Sequence, residues 1–188
     1  FDHEIPGYQG KCAAWMDVPL QDGKEDQRGS SRIRLAEARA IAKEVKRIAD
    51  SCGPTLSIGV ISFYRAQCDL ILEAFVEHGL AEEDDGEIRI ARSYRQTESG
   101  DERLRVGTVD AFQGKEFDLV ILSIVRANDA AVSDQKEGDE RERLLNGKYG
   151  HLRLANRLNV AMSRQRKLLV AVGDKRMAEG PESEEAVP

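Results

Sequence analysis

The sequence predicts an α/β fold in which helices cover a mainly parallel central sheet. Three observations carry this. Short apolar runs alternate with stretches whose apolar residues recur at helical spacing. The run Asp118 to Val125, DLVILSIV, is nearly all apolar and suits a central strand covered on both faces. The chain has 188 residues, 40% of them hydrophobic, enough to build one domain around a core.

The elements follow in order. Cys12 to Val18 reads as a short strand ending at Pro19, and Gln21 to Ser31 as a Gly-, Asp- and Ser-rich loop. Ser30 or Ser31 can cap a helix in which Ile33, Ala40, Ile41, Val45 and Ile48 keep helical spacing, with Gly53-Pro54 as its stop. Leu56 to Phe63 reads as a buried strand. A second helix buries Leu70, Ile71, Ala74 and Phe75 and ends at Gly79. The acidic run Glu82 to Glu87 reads as a solvated loop, and Leu104 to Val109 as a strand. Asp129 to Gly150 is charged and without period, so a flexible insertion is expected there. His151 to Ser163 has a helical pattern, and Lys167 to Val172 is the last strand. Residues 1–177 are thus expected to form one domain, and 178–188, with four Glu, a disordered acidic tail.

Composition excludes several classes. No apolar run approaches the roughly 20 residues that span a bilayer, so no membrane partner is expected. Lys+Arg 28 against Asp+Glu 34 gives a net charge of −6, a poor basis for a stand-alone nucleic-acid binder. Cys12, Cys52 and Cys68 are too few and too scattered for a disulfide scaffold or a zinc cluster. They point to a reducing compartment, the cytoplasm or, in a eukaryote, the nucleus. No metal site is expected. The sequence opens on Phe1 rather than Met and reads as a piece of a longer chain.

In a parallel sheet ligands sit at the carboxyl ends of strands, here just after Phe63, Val109, Val125 and Val172. Neither Gly114-Lys115 nor Gly147-Lys148 continues into the GKS or GKT of a phosphate loop, and the long apolar strand ends in Arg126 rather than a carboxylate. A self-contained nucleotide hydrolase does not fit. Three segments nevertheless carry chemistry. In VGTVDAFQGKEFD, Val106 to Asp118, Asp110 can cap a turn whose free N–H groups attract phosphate. Gly114 there lets a ligand approach the backbone, flanked by Gln113 and Glu116. A tight capped turn without a ligand explains the segment equally well. In the helix around Asn156 to Arg166, Arg153, Arg157 and Arg164 share a narrow arc beside an apolar face of Leu154, Leu158, Ala161 and Met162. Such a row suits phosphates, although a solvated basic face is the commoner use of arginine. In ISFYRAQ, Ile61 to Gln67, Tyr64 and Arg65 could meet a nucleic-acid strand or simply wedge a strand end.

Together, and in this order, the segments resemble the second RecA-like domain of superfamily 1B helicases, the group of the up-frameshift helicase of RNA decay. IGVISFYRAQ is similar to that family's IGVISPYRAQ, RVGTVDAFQGKEFDLVILSIVRAN to helicase motif V and its following strand, RLNVAMSRQRKLLVAVGD to motif VI, and SSRIRLAEA to the opening of its first helix. The likeness spans about residues 11–174. Phe63 replaces the usual Pro, Arg34 the usual Asn, and the link at Asp129 to Gly150 is longer than usual. The segment resembling QYRMHP and the Walker A and B motifs are missing.

The resemblance implies a RecA-like three-layer sandwich serving as half of an ATP-dependent DNA or RNA helicase or translocase. Arg164 would be the arginine finger at the γ-phosphate. Gly114 and Glu116 would face the nucleotide, with Gln113 and Arg157 nearby. Thr108, Asp110, Tyr64 and Asn159 would lie nearer single-stranded nucleic acid, and Arg65, Arg105 and Arg126 could add phosphate contacts. ATP and Mg2+ belong to the full-length protein, with the Mg2+ ligands on a first RecA-like domain of the same polypeptide. This fragment alone is expected to be inactive. The alternative is a degenerate RecA-like domain that binds or scaffolds without ATPase activity. A flavodoxin- or dehydrogenase-like fold would need a glycine fingerprint, and GYQGK at Gly7 to Lys11 is too early and incomplete.

Overall fold

The computed structural model describes residues 3–133, 135–179 and 181–186. The chain runs through β1 (Ala13–Asp17), β2 (Asp26–Arg28), β3 (Ser31–Ile33), α1 (Leu35–Cys52), β4 (Ile58–Ser62), α2 (Arg65–Glu77), β5 (Ala81–Asp84) and β6 (Glu87–Ile90). It continues through β7 (Leu104–Thr108), β8 (Phe117–Ser123), α3 (Gly138–Tyr149), α4 (Ala155–Met162), β9 (Gln165–Gly173) and α5 (Pro181–Ala186).

Five strands form one sheet in the order β1-β9-β8-β4-β7, with every neighbouring pair parallel. Because β8 is buried on both faces, its period-2 alternation divides two cores. Leu119 and Ile121 pack with Ile41, Val45 and Ile48 of α1 and Ile71 and Phe75 of α2. Val120 and Leu122 face the opposite way, among Leu145 and Tyr149 of α3 and Leu158 and Ala161 of α4. Each buried Val, Leu, Ile or Phe among them contributes about 1.5–3 kcal/mol. The expected RecA-like α/β sandwich is therefore the architecture, and the register Thr108↔Ser62↔Ser123↔Val172 brings four strand ends to one edge.

Several local expectations are corrected. No serine caps α1: its N-cap is Arg34, because Ser31 and Ile33 belong to β3, which pairs antiparallel with β2. The acidic stretch Glu82 to Glu87 is not a loop but part of the β5–β6 hairpin, turned by Asp85 and Gly86, both at positive φ. The stretch 129–150 carries α3. Asp139 and Glu140 in its first turn and Lys148 in its last complement the helix dipole, and Leu145 and Tyr149 anchor it. In the expected tail, Pro181–Ala186 is helical and pairs with α3 through Glu185–Arg141 (2.5 Å) and Glu182–Lys148. Residues 180 and 187–188 of that tail lie outside the described residues. Among the described residues, no helix is long and apolar enough to cross a membrane.

Candidate functional site

β7 leaves the sheet at Thr108, which is half-buried, into one 3-10 turn, Val109–Phe112. Phe112 makes the turn possible. Its ring is fully buried, 5.4 Å from that of Phe117, so the turn is nailed to the sheet by an apolar wedge. Arg105 adds a bond from Nη1 to the Ala111 carbonyl (3.0 Å). With Phe112 inward, Asp110, Gln113, Gly114 and Glu116 are all exposed, and Gly114 turns the chain at φ +74°. An amide, a carboxylate and an open stretch of backbone therefore face solvent together, at the strand edge where ligands bind.

Asp110 does not cap the turn. It accepts a hydrogen bond from Arg157 Nη2 at 2.6 Å, tying the turn to α4. Between turn and helix lies a cleft of about 350 Å³, lined by Val109, Asp110, Gln113, Asn156, Arg157 and Val160. The structure thus brings Asp110, Gln113 and Arg157 together. Asn159 is exposed on α4 but outside this lining.

The arginine row is split. The helix begins at Ala155, not His151, so Arg153 sits in a preceding 3-10 turn and pairs with Glu142 (2.8 Å). Leu154 and Met162, expected to be core residues, are 42% and 43% exposed, while Leu158 and Ala161 are buried. Arg164 stands just beyond the end of α4. Its Nε donates to the Val160 carbonyl (3.0 Å) and its Nη2 to Ser163 Oγ (2.8 Å). Among the described residues Arg164 has no carboxylate partner, in contrast to Arg153 and Arg157.

Two expected contact residues are not available. Tyr64 is buried, its ring stacked on His151 at 4.8 Å and its hydroxyl accepting from the His151 N–H (3.4 Å). The end of α3 forms a roof over it. A Cβ at Gly150 would lie 2.7 Å from the Tyr64 hydroxyl, so only glycine permits this approach. Arg126 is 3% exposed. It pairs with Glu25 (2.9 Å) and donates to the Gly147 and Lys148 carbonyls, closing the C-terminal end of α3. Arg65 remains exposed, paired with Asp69 (3.2 Å).

A polar cluster behind the strand ends escaped the sequence reading. Arg34, Glu37, Gln67 and Ser123 are all fully buried. Glu37 accepts from Ser123 Oγ (2.5 Å) and the Val125 N–H (3.0 Å), and Arg34 Nη1 lies 3.5 Å away. Gln67 accepts from the Arg34 N–H (2.7 Å) and donates to Ser123 Oγ (3.3 Å). Burial pushes the Glu37 carboxyl up to about 7 against these bonds. The available signal was periodic: Glu37 falls in step with Ile41, Val45 and Ile48 on the inward face of α1.

A family model described as an AAA domain matches residues 3–176. The chain belongs to that family. It is a superfamily 1 helicase domain related to the up-frameshift helicases. A regulator of nonsense transcripts 1 homolog from Neurospora crassa is 30% identical over 79% of this chain and 11% of its own length. The DNA polymerase alpha-associated DNA helicase A of Saccharomyces cerevisiae is 31% identical over 77% of this chain and 16% of its own. An uncharacterized ATP-dependent helicase of Methanocaldococcus jannaschii is 25% identical over 82% of this chain and 17% of its own. The chain therefore spans less than a fifth of each of these relatives.

Proposed function

We propose that this chain is the second motor domain of an ATP-dependent helicase or translocase and forms half of an ATP site. A first RecA-like domain of the same polypeptide supplies the other half, and single-stranded nucleic acid crosses both. The observation that carries the reading is Arg164, a guanidinium without a carboxylate partner among the described residues, bonded to the carbonyl of Val160, which lines the cleft with Asp110 and Arg157. The residues present fit one side of a nucleotide. Gln113 and Glu116 offer an amide and a carboxylate to base or ribose, Gly114 admits close approach, and Arg157 and Arg164 offer positive charge to phosphates. ATP hydrolysis needs charge stabilisation at the transferred phosphoryl group, and Arg164 provides it across the cleft. Among the described residues no group of three or more His, Cys, Asp or Glu side chains is arranged for a metal ion. In this reading the Mg2+ ligands belong to the first domain. Thr108 and Asn159 lie toward the nucleic-acid track.

The test is Arg164→Ala in the longer parent protein. Steady-state kcat should fall on the order of 10³-fold, as for other arginine fingers. The circular dichroism and melting of the isolated domain should stay unchanged, because the Arg164 side chain bonds only to its own helix end. A folded mutant parent that keeps near-normal ATPase activity refutes the assignment.

A further inference from the structure

β8 ends in an unusual turn. The Arg126 N–H donates to the Ile124 carbonyl at 2.8 Å, closing a three-residue turn around Val125. Val125 has φ +69°, and apart from Asp85 it is the only residue other than glycine at positive φ among the described residues. A γ-turn with its central residue at positive φ is rare and strained, more so for a β-branched side chain. Such a conformation persists only where its surroundings hold it.

Here the holding group is Glu37. Its carboxylate receives the Val125 N–H on both oxygens, at 3.0 and 3.1 Å, and Ser123 Oγ at 2.5 Å. With Glu37 fully buried, water cannot take over these bonds. The turn then aims the next residue. Arg126 leaves it toward Glu25 and the carbonyls of Gly147 and Lys148, and the chain immediately beyond, Gly150 and His151, covers Tyr64. One contiguous series of contacts thus links the first turn of α1 to the roof over Tyr64.

We propose that Glu37 is a positioning residue that, from inside the core, fastens the strained turn at Val125 and so keeps the end of α3 seated over Tyr64. Without its carboxylate the Val125 N–H loses its acceptor and the turn relaxes. Arg126 then no longer reaches both carbonyls, and the roof lifts. This inference does not depend on the ATPase reading, because its readout lies in the chain itself.

Hydrogen exchange of the 188-residue chain under native conditions tests it. Glu37→Ala should speed exchange at the Val125 and Arg126 amides and across Gly147 to His151, on the order of 5–30-fold. Glu37→Gln keeps an acceptor for the Val125 N–H and should restore most of the protection. Ile41→Ala, on the same face of α1, removes core volume without touching the turn. It should leave residues 147–151 protected. If Glu37→Ala does not fold, Glu37→Asp serves instead, since it retracts the carboxylate by one methylene and should loosen the same amides. Acceleration confined to α1, or equal acceleration at 147–151 in Ile41→Ala, overturns the proposal.

Discussion

Replacing Gly59 by alanine drives a methyl group into the aromatic pair that fixes the β7–β8 turn. A Cβ at Gly59 would lie 2.7 Å from Phe112 Cε1 and 3.0 Å from Phe117 Cδ2. The backbone cannot retreat, because β4 lies between β7 and β8, with Gly59 opposite Arg105 and Val120. The rings must move instead, and both are buried. Overpacking of this kind costs about 1–3 kcal/mol, offset by about 0.5–1 kcal/mol from removing a strand glycine. The net loss should be roughly 1–2 kcal/mol, a fall in Tm of about 2–8 °C for a domain of this size. Displacing Phe112 also lifts Asp110, so the Asp110–Arg157 bond should lengthen. Urea unfolding measures the first effect and a crystal structure of the variant the second. A variant within about 0.5 kcal/mol of wild type, with Phe112 unmoved, would show that the wedge does not fix the turn.

Arg126→Ala leaves Glu25 with only the more distant Arg32 (3.4 Å) as a cation and takes the side-chain donor from the Gly147 carbonyl, so urea unfolding should show a loss of about 1–3 kcal/mol. Glu37, raised from 4.5 to about 7 by burial, binds its proton more tightly folded than unfolded. Its stabilising contribution is therefore full below about pH 4.5 and lost as pH rises through about 7, by at most roughly 3 kcal/mol. Arg34 is the charged side chain facing it. Unfolding at pH 5 and pH 8 should show that fall, flattened in Glu37→Gln. Among the thiols, Cys12 is exposed while burial pushes Cys68 up to about 12, so alkylation followed by mass spectrometry should label Cys12 first and Cys68 only on unfolding.

What the sequence made legible follows from burial. β4 and β8 are covered on both faces and β9 is largely buried from Leu168 onward, so their apolar runs read plainly as strands. The β5–β6 hairpin was obscured because Glu82, Glu83 and Asp84 are exposed on it and mask the alternation, although Asp85-Gly86 marked its turn. α3 has few apolar residues of its own. Its order comes from partners distant in sequence, Arg126 and α5, which no local pattern reveals. In the site, the β7–β8 turn was legible because Asp, Gln, Gly and Glu follow directly on a strand. Tyr64 was misplaced because a strand end looks open until α3 is laid over it.

The arginines show why residue type alone could not identify the groups available to phosphate. Arg65, Arg105, Arg126, Arg153 and Arg157 each face a carboxylate, so by partner they look alike. Burial separates them. The Arg65–Asp69 pair is solvated and worth about 0–1 kcal/mol, so an arriving phosphate can replace the aspartate. The Arg157–Asp110 pair is intermediate: the Asp110 side chain is 73% exposed and easily rehydrated, so a competing anion can displace it from Arg157. The Arg126 and Glu25 side chains are 3% and 6% exposed, and removing the arginine would leave the buried carboxylate only Arg32 at 3.4 Å, so that pair is structural. Among the described residues Arg164 has no carboxylate to displace, only a carbonyl and a hydroxyl of its own helix end. A phosphate oxygen is a stronger, charged acceptor than either, and taking it breaks no ion pair. Of these arginines, Arg164 therefore meets a phosphate without giving up an ion pair among the described residues, whereas Arg157 must give up Asp110.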